Sequence, residues 1–414
     1  MKIKLLSLFF LISLSCLAQY TSIPDINFEN KLIALGIDSG SPDHQVLTDK
    51  IDKLTDLDIS NSAITDLTGI QNFVSLTSLN CYNNQLTVLD VSKNIALQKL
   101  VCSSNQLTSL NISMNVALEN LECNSNPLTS LDTAANTVLK YLSFSHSNLT
   151  SLDISKNIAL ESLTCISNQL TSLDVSKNIA LESLTCTSNQ LTSLNVSKNT
   201  ALGYLSCWSN QLTSLDVSKN TALKHLACSI NQLTSLDVSK NTALEFLSCS
   251  VNQLTTLDLS MNINIKEIQC EQNQLISLNL KNGNNTILNS MDCTSNPNLS
   301  CIQVDDVSYS NTSWSVNKNS TTTYSLSCPS LGIAETVFDK ITVYPNPAKG
   351  ELHIDNSTLE KATVYDTLGK LITTTKFTNG SNNNTINLAG FRSGLYYLYL
   401  ENEGATIVKK IIIE

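Results

Sequence analysis

Cysteine is the residue type whose spacing first suggests chemistry in this chain of 414 residues. Of the 13 cysteines, nine recur at steps of 21 or 42 residues, and a tenth follows the last of these after 23 residues. The recurring ones are Cys81, Cys102, Cys123, Cys165, Cys186, Cys207, Cys228, Cys249, Cys270 and Cys293. So many thiols suggest either a disulfide framework or a set of metal ligands. Zinc is disfavoured, because each step supplies one cysteine and no paired histidine.

The cysteines belong to a repeated unit, of which residues 223–243, LKHLACSINQLTSLDVSKNTA, are one copy. A fixed period of this length predicts a solenoid, in which each coil buries its apolar face against its neighbours. Each unit has two similar halves, LxxLxCxxN and LxxLxVxxN. The alternation of apolar and polar residues predicts a short strand in each half, so that every coil has two straight sides. The asparagine closing each half is placed to pair with backbone groups at the turn.

The predicted strands decide between the two interpretations of the cysteines. Neighbouring cysteines would lie on parallel strands about 4.8 Å apart with their side chains pointing the same way, whereas a disulfide needs converging Cβ atoms about 3.5–4.5 Å apart. Phe144 and Ile59 take the same position in their own coils, as a buried apolar column allows. We therefore expect the ten repeated cysteines to be free and buried.

The repeat LxxLxCxxNxLxxLDLxxN resembles the bacterial 21-residue class of leucine-rich repeats and covers more than half of the chain. The resemblance implies a mainly β solenoid of 21-residue coils at residues 76–298. Residues 19–75 are expected to form an N-terminal cap with an irregular first repeat and a short helix, with Asp25 as N-cap and Gly36 as stop. Residues 299–328 are the expected C-terminal cap. Cys301 and Cys328 lie outside the repeat register and are expected to form one disulfide there.

Residues 1–18, MKIKLLSLFFLISLSCLA, place two lysines before an apolar run and small residues at its end. These features predict a secretory signal peptide rather than a transmembrane helix. A lipoprotein signal is the alternative, because Cys16 follows the apolar run. No later apolar run is long enough to cross a bilayer, so we expect the protein to leave the cytoplasm without spanning a membrane.

After a short linker at residues 329–339, the sequence changes at residue 340 to short β-rich segments separated by Pro, Gly and Asn. Such segments predict a small β-sandwich. The order YPNPAKGELHI, VYDTLGK, SGLYYLYL and a lysine-rich final strand resembles the C-terminal sorting domain of type IX secretion substrates. The resemblance implies that the type IX machinery recognises residues 340–414 and carries the protein from the periplasm to the outer cell surface or the exterior. An ordinary adhesive β-sandwich is the alternative.

Charge and motif content narrow the partners and the chemistry. The formal net charge of -10 argues against nucleic acid as a partner. His44, His146, His225 and His353 lie in four unrelated contexts, and the sequence contains no GxSxG, HExxH or phosphate-binding glycine loop. We therefore expect neither enzymatic activity nor a cofactor.

A column of carboxylates recurs in the second half of the coils, at Asp90, Asp153, Asp174, Asp216, Asp237 and Asp258. Stacked oxygen ligands would attract calcium. However, lysines three residues further along supply a counter-charge, and asparagine replaces aspartate in several coils. The sequence therefore predicts no metal site, with calcium as the alternative that the column leaves open.

Binding is better supported than catalysis, because the two halves of the coil vary differently. The second half repeats LTSLDVSKN with few changes, while the outward positions of the first half vary and collect aromatic residues. Varied outward positions on a solenoid are typical of a ligand site. The candidates are Tyr204, Trp208, His225, Phe246 and Tyr141. An aromatic ladder that only stabilises the stack is the alternative.

These observations together predict a secreted or cell-surface binding module that is similar to an adhesin. Its partner would be an extracellular protein or a glycan. The alternative function is a passive structural repeat protein of the cell envelope with no discrete ligand.

Overall fold

The computed structural model describes residues 19–328, 341–355, 359–377, 383–402 and 405–414. The predicted signal peptide and the predicted linker lie outside the described residues. The chain divides into two compact units between Ser327 and Cys328.

The first unit begins with a cap formed by β1 (Tyr20–Ser22), α1 (Ile26–Ala34), β2 (Gln45–Leu47) and α2 (Thr48–Ile51). Asp25 is the N-cap of α1, as predicted, and its carboxylate accepts hydrogen bonds from the backbone N–H groups of Asn27 and Phe28. Gly36, with φ of 71°, follows the end of the helix, where the left-handed region favours glycine. Phe28 stacks on Phe73 of the first coil, with ring centroids 6.2 Å apart, so the helix closes the open end of the core.

The coils that follow are built from strands of three residues. In chain order they are β3 (Asp56–Asp58), β4 (Ser78–Asn80), β5 (Lys99–Val101), β6 (Asn120–Glu122), β7 (Tyr141–Ser143), β8 (Ser162–Thr164), β9 (Ser183–Thr185), β10 (Tyr204–Ser206), β11 (His225–Ala227), β12 (Phe246–Ser248), β13 (Thr256–Asp258), β14 (Glu267–Gln269), β15 (Ser277–Asn279), β16 (Ser290–Asp292), β17 (Cys301–Gln303) and β18 (Thr323–Ser325). Two 3-10 turns lie at Ile70–Asn72 and Asn285–Ile287, and α3 spans Val307–Ser313.

The first halves of the coils form a parallel sheet of 12 strands, running from β3 to β12 and on through β14 and β16. Equivalent residues lie side by side: Leu205 is opposite Leu184 on one neighbour and Leu226 on the other. The sheet residues therefore form straight columns, and the leucine and cysteine columns build one continuous core.

The second halves of the coils differ from the prediction of a second straight side. Strands occur there at β13 and β15, and an isolated bridge joins Asp90 to Asn111, so the expected strand is wrong for the central coils. A local turn does not explain the difference, because the carboxylate of Asp216 accepts from the backbone N–H of Ser218 at 2.9 Å and that of Asp258, the last residue of β13, accepts from Ser260 at 2.8 Å. The second half is held instead by turns.

Asparagine columns supply the hydrogen bonds that these turns need, as predicted. The Asn231 Nδ2 donates to the backbone carbonyls of Cys207 and Cys228, each at 3.1 Å. Its Oδ1 accepts from the backbone N–H of Leu212 at 3.0 Å. One buried amide therefore joins two adjacent coils at the point where the backbone leaves the sheet.

The C-terminal cap of the solenoid is organised around Trp314, which is buried. Its indole ring contacts Tyr309 and Tyr324 edge-on, with centroid distances of 5.6 and 6.1 Å. The indole N–H donates to the backbone carbonyl of Leu288 at 3.3 Å. Helix α3, which ends next to this tryptophan, thus covers the last coils of the core.

The second unit consists of short and medium β-strands. They are β19 (Thr342–Lys349), β20 (Glu351–Asp355), β21 (Lys361–Asp366), β22 (Leu371–Lys376), β23 (Asn383–Asn387), β24 (Gly394–Asn402) and β25 (Ala405–Ile413). Antiparallel pairing joins β19, β20 and β23 on one side and β22, β21, β24 and β25 on the other. The inward side chains, such as Leu352, Val364 and Leu398, form a core of their own. The predicted fold class, a mainly β leucine-rich repeat solenoid with a small helical cap and a C-terminal β-sandwich, is confirmed.

Candidate functional site

Three of the predicted aromatic residues occupy one column of the parallel sheet. Tyr204, His225 and Phe246 are the first residues of β10, β11 and β12 and lie directly opposite one another in the register. Their side chains point outward, because the leucines that follow them point into the core. The 21-residue period therefore places these rings next to each other.

The three rings form a continuous stack. The ring centroids of Tyr204 and His225 are 4.2 Å apart with an interplanar angle of 6°, and those of His225 and Phe246 are 4.2 Å apart at 3°. Each ring of the stack thus covers the face of its neighbour. This arrangement is the aromatic ladder that the sequence left as the alternative, and it accounts for three of the candidates as stabilising contacts.

Trp208 lies in a different column from the ladder. It follows the buried Cys207 immediately after β10 and remains 40% exposed. Tyr141 is in the same column as the ladder but three strands away from Tyr204, which corresponds to roughly 14 Å at the usual strand spacing. Its hydroxyl donates to Glu161 at 3.1 Å. The structure therefore brings Trp208 to the ladder and leaves Tyr141 apart.

The ladder and Trp208 line an open groove of about 330 Å³. Its floor is polar and comes from three adjacent coils. Ser229 and Ser248 are joined by a hydrogen bond of 2.7 Å, and Ser248 donates to the Oε1 of Gln269 at 2.9 Å. In the neighbouring coils, the hydroxyls of Ser206 and Thr187 are 3.0 Å apart. The groove thus combines aromatic walls with a floor of hydroxyl and amide groups.

His225 is the titratable member of the groove. Desolvation by burial lowers the pKa of its imidazole, and the nearby carboxylate of Glu267 opposes this shift. The neutral ring is therefore favoured between Tyr204 and Phe246. A neutral imidazole stacks on the two aromatic rings without burying a charge.

A column of mostly charged residues borders the groove one position before the strands. Glu182, Gly203, Lys224 and Glu245 are consecutive members of this column, as their backbone hydrogen bonds show. Glu245 forms an ion pair with Lys266 of the next coil. Gly203 is the member without a side chain and lies directly before Tyr204.

The floor residues and Gly203 were not predicted as site residues. The signal that could have found them is the repeat register, because Ser206, Ser248 and Gln269 occupy one column and Gly203 interrupts another. Identifying aromatic residues alone misses the polar groups, since Ser and Thr are frequent throughout this sequence.

The cysteine column has a structural role. The ten repeated cysteines are free and buried, as predicted. Burial raises the pKa of Cys81, Cys165 and Cys249 to about 12, which keeps these thiols protonated and unreactive. Cys301 and Cys328, in contrast, are both disulfide-bonded.

The described part of the chain has neither a candidate metal cluster nor a membrane-spanning helix. There, no group of three or more His, Cys, Asp or Glu side chains is arranged to hold a metal ion. No helix within the same residues has the length and apolar composition to cross a bilayer.

Comparison with known proteins identifies the second unit. Residues 342–414 match the family model of the secretion system C-terminal sorting domain. The sorting domain marks the protein as one that type IX secretion delivers to the cell surface or the exterior.

Comparison with solved structures identifies the relatives of the solenoid. The functional domain of InlJ from Listeria monocytogenes, which includes a cysteine ladder, is 28% identical with a TM-score of 0.64, and the match covers 96% of this chain and 99% of that one. An internalin (inlF) from the same species has a TM-score of 0.62 at 20% identity, covering 73% of this chain and 91% of that one.

A curated relative points to the same group of proteins. Internalin J of Listeria monocytogenes is 38% identical over 71 residues, which are 17% of this chain and 8% of that protein. The match thus spans a small part of the length of this relative. The chain is therefore a leucine-rich repeat solenoid whose structural neighbours are internalin-type proteins with a cysteine ladder, followed by a type IX secretion C-terminal sorting domain.

Proposed function

We propose that the protein is an adhesin-like binding module that recognises an extracellular protein or glycan through the outer face of its parallel sheet. The observation that carries the proposal is the groove beside the ladder, where Trp208 keeps 40% of its surface exposed. A large aromatic side chain that stays exposed just after a strand of a regular sheet is typical of a binding hot spot. The sorting domain delivers this surface to the outside of the cell.

The stacked rings narrow the binding residues that we propose. Tyr204, His225 and Phe246 stabilise one another, so their main role is to form a rigid wall. Trp208 provides an exposed ring outside the stack, Tyr204 keeps its outer face open at the end of the stack, and Tyr141 contributes nothing to this groove. We also propose the domain boundaries 19–75, 76–298, 299–328 and 340–414 for the parts described above.

A passive structural repeat is the second candidate function. It is favoured by the second half of the coils, whose repeated LTSLDVSKN sequence offers the same surface in coil after coil. It leaves the exposed indole of Trp208 beside the groove without a role.

A binding screen with matched variants tests the proposal. The full chain is applied to a glycan array and used in pull-downs from extracellular fractions, alongside Trp208→Ser and Tyr82→Ser. Tyr82 is the matched control, because it occupies the same column as Trp208 and is 41% exposed, but lies six coils away from it. We expect saturable binding that Trp208→Ser abolishes and Tyr82→Ser preserves. Saturable binding to neither class of ligand would favour the passive repeat.

A further inference from the structure

The ring faces that a ligand can reach are few. In the ladder, His225 is covered on both sides, and Phe246 is covered on the side of His225. Tyr204 has its second face toward Ser183, whose side chain is short. The second face of Phe246 is toward Glu267. The aromatic surfaces without a charged neighbour in their column are therefore the outer face of Tyr204 and the exposed ring of Trp208, which belong to the same coil. Two aromatic surfaces in one coil suit a small ring-shaped group that stacks on them.

The floor of the groove accepts hydrogen bonds. Because Ser248 donates to the Oε1 of Gln269, the bond between Ser229 and Ser248 must be donated by Ser229. The Nε2 of Gln269 donates in turn to Glu267 at 3.0 Å. Both serine protons are thus committed within the network, and the Oγ of Ser229 also accepts from the backbone N–H of Ser250 at 2.9 Å. One lone pair remains on each serine and one N–H on the Nε2 of Gln269, which suits a hydroxylated ligand, because hydroxyls both donate and accept.

The lining of the groove carries no charge when the imidazole is neutral. Burial keeps the pKa of His225 low, and the other lining groups are phenol, indole, phenyl, hydroxyl and amide groups. Charged groups lie at the edges of the groove. Lys266 is paired with Glu245 in the border column, and Glu267 follows Phe246 in the ladder column and accepts from the Nε2 of Gln269. An anionic ligand would therefore enter this groove beside a carboxylate and without a counter-charge on its floor.

Gly203 opens this border at the aromatic coil. A Cβ atom built at Gly203 would meet its nearest neighbours, the backbone carbonyls of Ala222 and Glu182, at 3.8 and 3.9 Å. These are ordinary contacts, and the backbone there is not left-handed, so packing does not require glycine. The missing side chain instead leaves a gap between Glu182 and Lys224, next to the open face of Tyr204.

We infer that the groove binds the end of a neutral glycan, whose sugar ring stacks on Tyr204 and Trp208 and whose hydroxyls donate to Ser229 and Ser248, and that Gly203 admits it. This inference rests on the proposed function and names the ligand class of the same site. The groove volume of about 330 Å³ lies within the range of roughly 300–1,000 Å³ that small-molecule sites occupy.

The test compares three probes on the full chain: an array of neutral oligosaccharides, the same oligosaccharides ending in sialic acid, and a Lys/Arg-rich peptide. We expect saturable binding to members of the neutral set and weaker binding once sialic acid is added. Gly203→Glu should weaken binding of the best neutral oligosaccharide by at least about tenfold, because the new side chain fills the gap. Gln98→Glu is the matched control, since it adds the same charge to the same border column five coils away.

The outcomes separate this inference from the proposed function. One outcome is that the neutral oligosaccharides do not bind, while a protein or the cationic peptide binds and Trp208→Ser abolishes that binding. This result would overturn the glycan as ligand class, but the sheet face would remain the binding surface. Equal effects of Gly203→Glu and Gln98→Glu would overturn the role of the gap. The melting curves of both variants should match the curve of the parent protein, which would show that neither substitution disturbs the fold.

Discussion

At the scale of single residues, the buried asparagines that close the second half of each coil lack a hydrogen-bond partner for the side-chain oxygen in most of the described coils. The Nδ2 of Asn241 donates to the backbone carbonyls of Val217 and Asn220, at 3.0 and 2.8 Å. Its Oδ1 has no partner among the described residues. The same holds for the Oδ1 atoms of Asn94, Asn115, Asn136, Asn178, Asn199, Asn220 and Asn262. Asn157 differs, because the hydroxyl of Thr133 donates to its Oδ1 at 2.7 Å.

Thr133 and Val217 belong to the column three residues before these asparagines, and exchanging threonine and valine there should change stability in opposite directions. Thr133→Val removes a donor from Asn157 and should lower the free energy of unfolding by about 1 kcal/mol. Val217→Thr places a hydroxyl beside Asn241 and should be neutral or stabilise by up to about 1 kcal/mol. Val304→Thr is the control, because it lies in the same column without an asparagine in the next coil, and it should cost about 1–3 kcal/mol. Urea unfolding measures all three, and equal losses for both Val→Thr changes would contradict the explanation.

His225 should make the stability of the solenoid depend on pH. Its folded pKa lies below the unfolded value of 6.5, so the unfolded chain binds the proton more readily. Stability is therefore full above about pH 6.5 and falls as the pH drops through the folded pKa. His225→Phe keeps a stacked ring and should remove this part of the dependence. Melting temperatures of the two proteins measured between about pH 7 and pH 5 should diverge from each other, and parallel curves would contradict the assignment.

At the scale of secondary-structure elements, every coil leaves the sheet through a residue with positive φ. Most of these residues are serine or asparagine, such as Ser209 with φ of 57° and Asn83 with φ of 52°. Ile230 and Val251 adopt the same conformation with φ of 52° and 53°, although the left-handed region is unfavourable for β-branched side chains. The turn is thus imposed by the hydrogen bonds of the stack.

Relieving this strain should stabilise the solenoid. Ile230 is 45% exposed, so replacing it with asparagine loses little buried surface and gains a residue that tolerates the turn. We expect Ile230→Asn to raise the free energy of unfolding by about 1 kcal/mol. Ser209→Asn serves as the control, with a smaller expected gain because serine is not β-branched. If the two variants gained equally in thermal or urea unfolding, relief of strain at a β-branched residue would not be the cause of the stabilisation.

The aromatic ladder spans three strands, and its members should differ in their contributions to stability. Phe246→Ser removes a stacked contact with His225 and should cost about 0.5–1.5 kcal/mol beyond the lost burial. Trp208→Ser removes an exposed ring outside the stack and should lower the melting temperature less. Tyr82→Ser controls for the loss of an exposed aromatic residue. A Trp208→Ser loss as large as that of Phe246→Ser would show that the indole is itself a structural part of the ladder.

At the scale of the whole molecule, export and solenoid folding should be separable. Each unit has its own core, so truncation before Lys340 should leave the solenoid folded. The truncated protein should accumulate inside the cell envelope, because it lacks the sorting domain. Cell fractionation and a melting curve of the truncated protein check the two parts. Its appearance in the culture medium at the parent level would contradict the need for the domain.

Much of this protein was determined by the sequence itself. A repeat of 21 residues leaves little choice of fold, because each unit is too short to bury its leucines alone and must stack on identical neighbours. The position of Cys228 in that repeat also predicts a buried free thiol, since the period sets the strand spacing. The same register brings Tyr204, His225 and Phe246 together before any coordinate is known.

Tertiary structure alone decided how each of these residues is used. The stacking of the three rings shows that the ladder stabilises the solenoid, while Trp208 stays exposed. Both facts depend on how the rings are oriented and not on the spacing of the residues in the sequence. Strands form in the second half of the coil at β13 and β15 but not around Asp216, although the three segments share the LxxLxx pattern, so the repeat sequence alone did not decide this. The groove is formed by groups from several coils, including Ser229, Gln269 and the gap at Gly203. Such a site exists only once the coils are stacked, because no single repeat contains its walls, its floor and its opening.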